Sequence, residues 1–262
     1  MKCIEELLQD KNLASIYLHK LSDKNLIFYD TETTGILKDF SQILQCGSVL
    51  TDEELNTLGE QNIGCAPLPW VIPQPMAMIT NKKIDLFNSN VSHYQMMKDL
   101  QMQWKQWSAQ KPGIFITYNG HAFDEEMVRR QFFWNLLEPY TTNTNGNGRL
   151  DLMLMIHNIA AFFSDEISMP LFEGGPGISY KLEHLAIEHG IDAGDAHDAI
   201  ADCNLMIEMC RIIKERLPEV FQSFVNISTK PGVKELLHSE DFLALGEIHR
   251  RHTFRYPVVM CG

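Results

Sequence analysis

The chain has no CxxC pair, no long apolar run and no excess of basic charge, and each absence removes a class of function. Its six cysteines (Cys3, Cys46, Cys65, Cys203, Cys210 and Cys261) sit mostly in apolar segments. That pattern suits reduced core thiols better than a disulfide frame or a zinc site. No uninterrupted hydrophobic stretch approaches the ~20 residues of a spanning helix. The opening MKCIEELLQDKN carries acidic residues where a secretory signal would be apolar, so a cytoplasmic address is expected. With 22 Lys+Arg against 34 Asp+Glu, the formal net charge is −12, unlike that of a protein that coats DNA by bulk charge. What remains is ordinary for a folded chain: 262 residues, 45% hydrophobic and 21% charged, enough for one large domain or one domain with an appendage.

Hydrophobic spacing predicts the elements. Residues 4 to 21 have helical spacing and predict a leading helix. Leu26-Ile27-Phe28-Tyr29 reads as a buried strand that delivers Asp30-Thr31-Glu32-Thr33-Thr34-Gly35 into a loop, and 42–50 and 60–66 predict an antiparallel pair of strands. The Pro-rich segment 67–75 predicts an ordered surface loop. A helix over 92–108, a strand over 114–118 and a helix over 123–137 follow; then come an exposed, mobile loop over 141–148 and helices over 150–163, 180–189 and 197–216. The order predicts an α/β fold with a mixed sheet flanked by helices.

Chemistry-bearing residues fall at the ends of these elements. Asp30 and Glu32 are two apart on a strand, so both carboxylates share one face and can share a cation. Alone, such a pair is better read as a capping Asp beside a solvated Glu. Asp124 stands where the second strand turns into a helix, where it could equally be an N-cap. His197 and Asp202 open the last helix five residues apart, about 140° around its axis, and approach a common centre from different sides. Four carboxylates that converge without cations would repel one another, so convergence implies hard ions such as Mg²⁺ or Mn²⁺. Two ions about 3.5–4 Å apart are a recurrent device for displacement at phosphorus.

Taken together, Asp30-Thr31-Glu32, Asn119 to Asp124, and His197 with Asp202 resemble the three motifs of the DEDDh 3′→5′ exonucleases, whose fold is ribonuclease H-like. Within that superfamily the likeness is greatest to bacterial exodeoxyribonuclease I. It extends to Pro73-Gln74-Pro75, Phe123-Asp124-Glu125, Arg149-Leu150-Asp151-Leu152 and Lys181 to Leu185. The motif Asp30 to Gly35 departs from the exonuclease I pattern at Thr34, where that family carries an aromatic residue.

The resemblance implies that Asp30, Glu32 and Asp202 bind a first metal ion, that Asp30 with Asp124 serves a second, and that His197 is the general base. It implies hydrolysis of single-stranded DNA from the 3′ end to nucleoside 5′-monophosphates, a role in DNA repair, and domains of 1–25 (helical extension), 26–216 (exonuclease) and 217–262 (a C-terminal extension, the start of an accessory DNA-binding region). If the further domains by which exonuclease I wraps its strand are absent, high processivity is not expected. The loop Thr33-Thr34-Gly35 is the candidate contact for the terminal nucleotide. RNA or small oligonucleotides are the alternative substrates, since the same acids attack either sugar's phosphodiester. Two other classes rank lower: an HD-type phosphohydrolase on His197-Asp198 with His157, His184 or His189, and a single-strand-binding module without catalysis. The cluster His249 to Arg255 suits a nucleic-acid backbone or a solvated tail equally. Asp151 beside Arg149 predicts an Arg–Asp pair at a helix start.

Overall fold

The computed structural model describes residues 24–194 and 198–261. The leading helix expected over 4 to 21, Cys3 and His197 lie outside the described residues. Three strands come first: β1 (Asn25–Thr33), β2 (Ile43–Thr51) and β3 (Thr57–Gly64). After the Pro-rich loop, Pro75 occupies the first turn of α1 (Pro75–Asn81), where its missing N–H costs nothing. A 3-10 turn over Lys83–Asn88 leads to α2 (His93–Trp107), β4 (Gly113–Thr117) and α3 (Asp124–Trp134). There follow β5 (Gly148–Asp151), α4 (Leu152–Phe162), α5 (Leu182–Glu188) and α6 (Ala199–Arg216). The chain continues through α7 (Pro218–Asn226) and α8 (Lys230–Ser239) to a hairpin of β6 (Leu243–His249) and β7 (His252–Val258).

The main sheet is ordered β3-β2-β1-β4-β5, with β1, β2 and β3 antiparallel in turn and β4 and β5 parallel to β1. This mixed sheet, covered by helices on both faces, is the ribonuclease H-like α/β arrangement. The alternation of β1 explains the two layers. Leu26 and Phe28 point into one core with Ile114, Ile116, Met155, Met206 and Ile213, which joins the sheet to α4 and α6. Ile27 and Tyr29 point into the other with Phe115, Leu100, Trp104 and Phe132, which joins it to α2 and α3. Each fully buried aliphatic or aromatic side chain contributes about 1.5–3 kcal/mol, so the central strand is fixed in register from both sides.

Three expectations need correction. The helix expected from residue 150 begins at Leu152. Residues 148–151 instead pair with 114–117, and Asp151 caps α4 by accepting the Met153 N–H at 3.1 Å. The loop 141–148 is not exposed throughout: Thr141, Thr142 and Asn147 are buried. Asn147 replaces backbone partners there, its Oδ1 accepting from Gly113 N and its Nδ2 donating to Thr141 O, both at 2.8 Å. The Arg–Asp pair is not made, because Arg149 pairs with Glu125 at 2.6 Å.

The basic cluster near the C-terminus forms the hairpin tip, with Arg250 and Arg251 at φ of 47° and 68°. Arg251 lies 3.2 Å over the Phe172 ring and Arg255 donates to Ala161 O, so these arginines dock the hairpin onto the domain.

Candidate active site

Beyond Phe28, the alternation that fills the two cores continues into charged residues. Asp30 and Glu32 occupy the face of β1 that meets α6, while Tyr29 and Thr31 face α3. Opposite Asp30 on β2 stands Gly47. A Cβ at Gly47 would lie 2.6 Å from the carbonyl carbon of Ala199 and 2.8 Å from the nitrogen of Ile200, so only glycine lets the first turn of α6 rest directly on the sheet. Asp198 caps that helix through the Ile200 N–H at 3.2 Å. One turn on, Asp202 is brought over β1. The carboxylate oxygens of Asp30, Glu32 and Asp202 then lie within 4.8 Å of one another, and among the described residues this is the only such group of three or more metal-capable side chains.

The electrostatics follow from that crowding. Burial, and then the carboxylates of Asp124, Asp202, Glu32 and Asp198, push the Asp30 carboxyl well above the ordinary carboxylate range. Burial and Asp202 push Glu32 up to about 8, against the opposing charge of Lys83. Such a site is costly as an assembly of anions and favourable as an assembly of anions around a cation. Oxygen ligands at about 2.0–2.6 Å from a hard ion stand up to ~4–5 Å apart, which is the spacing found here. The donor set, all carboxylate oxygen, fits Mg²⁺ or Mn²⁺.

Asp124 lies outside the trio. It is the first residue of α3 and not its cap, and its Oδ1 accepts from the Thr31 hydroxyl on the other face of β1. Burial raises its carboxyl to about 6, with the Thr31 bond opposing. It is still close enough to raise both Asp30 and Glu32. The loop that delivers it is held by Asp151, whose carboxylate accepts from Asn119 N at 2.8 Å and His121 N at 3.1 Å. Asn119 takes φ of 58°, and a Cβ at Gly120 would lie 2.3 Å from the Thr117 side chain, so the turn needs this Asn-Gly pair.

Thr33, Thr34 and Gly35 are buried beside the trio. Their polar groups are largely engaged: the Thr33 hydroxyl donates to Gly35 O at 2.9 Å, and the Thr34 hydroxyl accepts from Gln42 N at 2.8 Å. Phe28 and Tyr29 are core residues, and the Tyr118 hydroxyl donates to Tyr180 O at 2.6 Å.

The histidines nominated for an HD-type site are dispersed. His157 packs edge-on against Tyr180, His184 Nδ1 is 2.8 Å from Ser179 Oγ, and His189 Nε2 is 3.1 Å from Ser168 O.

Sequence reasoning missed Lys83. Its Nζ lies 2.8 Å from Asp198 Oδ2, tying the 3-10 turn to the cap of α6 at the edge of the acidic trio. Burial pushes Asp198 up, but Lys83, with Gln45 and the Ala201 N–H, more than offsets this and holds it below the usual range. Asn81, whose amide donates to Thr33 O at 2.9 Å, and Gln45 complete this rim. No local pattern marks these residues, since α1 itself was not expected.

No family model matches the chain. Among curated proteins it is 29% identical over 235 residues to exodeoxyribonuclease I of Escherichia coli, covering 81% of this chain and 46% of that protein. It is 28% identical over 228 residues to exodeoxyribonuclease I of Buchnera aphidicola, covering 85% and 46%. Among solved structures it resembles E. coli exonuclease I in complex with a dA16 oligonucleotide, with a TM-score of 0.75 and 25% identity over 81% of this chain and 45% of that one. A zinc-bound E. coli exonuclease I complex with single-stranded DNA gives a TM-score of 0.71 and 27% identity over 78% and 43%. The chain spans about half the length of the curated relatives it matches. In sequence over some four fifths of its length and in the arrangement of its sheet, it is similar to bacterial exodeoxyribonuclease I.

Proposed function

We propose that this chain is a divalent-metal-dependent 3′→5′ exonuclease that removes nucleoside 5′-monophosphates from single-stranded DNA. The observation that carries this reading is the convergence of Asp30, Glu32 and Asp202, from a strand and a helix 170 residues apart in sequence, within 4.8 Å. The similarity to exodeoxyribonuclease I, known in complex with DNA oligonucleotides and with zinc, supports it.

On this reading Asp30, Glu32 and Asp202 hold one ion, and Asp30 with Asp124 serves a second. When bound, Mg²⁺ or Mn²⁺ supplies Lewis-acid polarisation of the phosphodiester and a more acidic water. The chain's own residues do the rest. Thr31 anchors Asp124 by donating to its Oδ1. Lys83 holds the cap of α6, and so the position of Asp202, and its charge partly offsets the crowding at Glu32. His197, as the resemblance implies, takes the proton of the attacking water while the P–O3′ bond breaks and the leaving 3′-oxygen is protonated. The buried loop 33–35 shapes the wall against which the terminal nucleotide rests.

The test is digestion of single strands labelled at the 5′ or the 3′ end, with matched RNA and duplex DNA alongside. The reading expects a ladder shortening from the 3′ end of the DNA single strand in Mg²⁺ or Mn²⁺ and none in EDTA. Trimming from the 5′ end, or metal-independent trimming, overturns it. Faster trimming of RNA would transfer the activity to the ribose substrate.

A further inference from the structure

Glu125, the residue after Asp124, turns away from the acidic trio into a buried network. Its carboxylate accepts from the Tyr29 hydroxyl at 2.8 Å and from the Thr142 hydroxyl at 2.6 Å, and it pairs with Arg149. This neutral pair forms the inner wall of a cavity of about 560 Å³ between the loop that delivers Asp124 and α8. The outer wall is different in kind. Lys230, Lys234 and His238 recur every four residues along α8, so all three line one side, and His121 faces them from the Asp124 loop.

Glu125 is the single acid in the lining, and its charge is met by Arg149. Among the described residues neither lysine is in an ion pair. In a chain of net charge −12, two unpaired lysines and two histidines converge on one hollow one residue from a catalytic acid. Val233, Leu237 and Met260 add apolar surface to the same hollow. Positive charge and apolar wall together match a phosphodiester with its attached sugar.

We infer that this cavity is an anion site holding a backbone phosphate of the substrate strand on the 5′ side of the cleaved bond, with Lys230 and Lys234 as counter-charges. The inference rests on the nuclease reading and adds where an upstream part of the strand lies. An acidic protein can hold a polyanion in this way, by placing cations along the strand's path.

The test compares wild type with Lys230→Ala/Lys234→Ala on a dT 20-mer and on a dinucleotide, which has no upstream phosphate. The KM for the 20-mer is expected to rise on the order of tenfold relative to that for the dinucleotide. The slope of log affinity against log salt should become shallower by ~0.7, the value for one lost phosphate contact on a single strand. Lys230→Arg/Lys234→Arg should restore both. A folded Ala variant with a wild-type KM ratio and salt slope overturns the inference. Anisotropy of the labelled 20-mer in EDTA reads the same site without catalysis. If wild type trims nothing yet the Ala variant binds about tenfold more weakly, the nuclease reading fails while the anion site stands; equal binding by both removes the site.

Discussion

Asp198 and Asp202 lie one helical turn apart, and the structure gives them different work. Asp198 caps α6 and pairs with Lys83, whereas Asp202 joins the acidic trio. Asp202→Ala should therefore abolish nucleotide release, by 10³-fold or more in rate on the order of other metal-site losses. Asp198→Ala should cost about 1 kcal/mol of stability through the lost cap and only a modest part of the activity. Asp198→Asn separates the two roles, because asparagine still caps while the charge pair with Lys83 is lost. Its thermal midpoint should stay within about 2 °C of wild type. Paired rate and melting measurements check this; equal loss of activity at both positions would place Asp198 in the metal site.

At the scale of elements, the site depends on how closely α6 sits on the sheet. Gly47→Ala would put a methyl group 2.6 Å from the Ala199 backbone, which no side-chain rotation can relieve. The expected cost is about 1–3 kcal/mol with a fall in activity of tenfold or more, since α6 must lift and carry Asp202 with it. Wild-type melting and activity in this variant would show that the helix start is free to shift.

Much of this element-level arrangement was legible in the sequence, because period-two and helical spacing report directly on burial. β2, β3, α2, β4 and α3 appear within a few residues of their expected places. β5 was not legible: four residues flanked by an apolar helix carry no pattern of their own, and only pairing with β4 makes them a strand. The acids of β1 and α6 could be nominated from their position at element ends. Lys83 could not, because its role arises from a contact across 115 residues. For the same reason a polar, Gly-rich loop looked exposed, when Asn147 and Thr142 were serving as buried hydrogen-bond partners.

For the molecule as a whole, the raised carboxyls predict how stability depends on pH. Glu32 has an ordinary value of 4.5 and is pushed up to about 8 in the fold, so the folded state binds the proton more tightly. Its contribution is fully present below pH ~4.5 and is lost as pH rises through about 8. Metal-free protein in EDTA should therefore melt lower at pH 8 than at pH 6, by on the order of 5–10 °C, and Glu32→Gln should flatten that dependence. Rising stability over the same window would contradict the charge crowding at the trio. The central claim is that Asp30, Glu32 and Asp202 form one cation site, and Mn²⁺ titration followed by calorimetry or electron paramagnetic resonance tests it most directly. Wild type should bind Mn²⁺ saturably, and Asp30→Asn or Asp202→Asn should bind at least tenfold more weakly while remaining folded. Equal Mn²⁺ affinity in wild type and both variants would contradict the account.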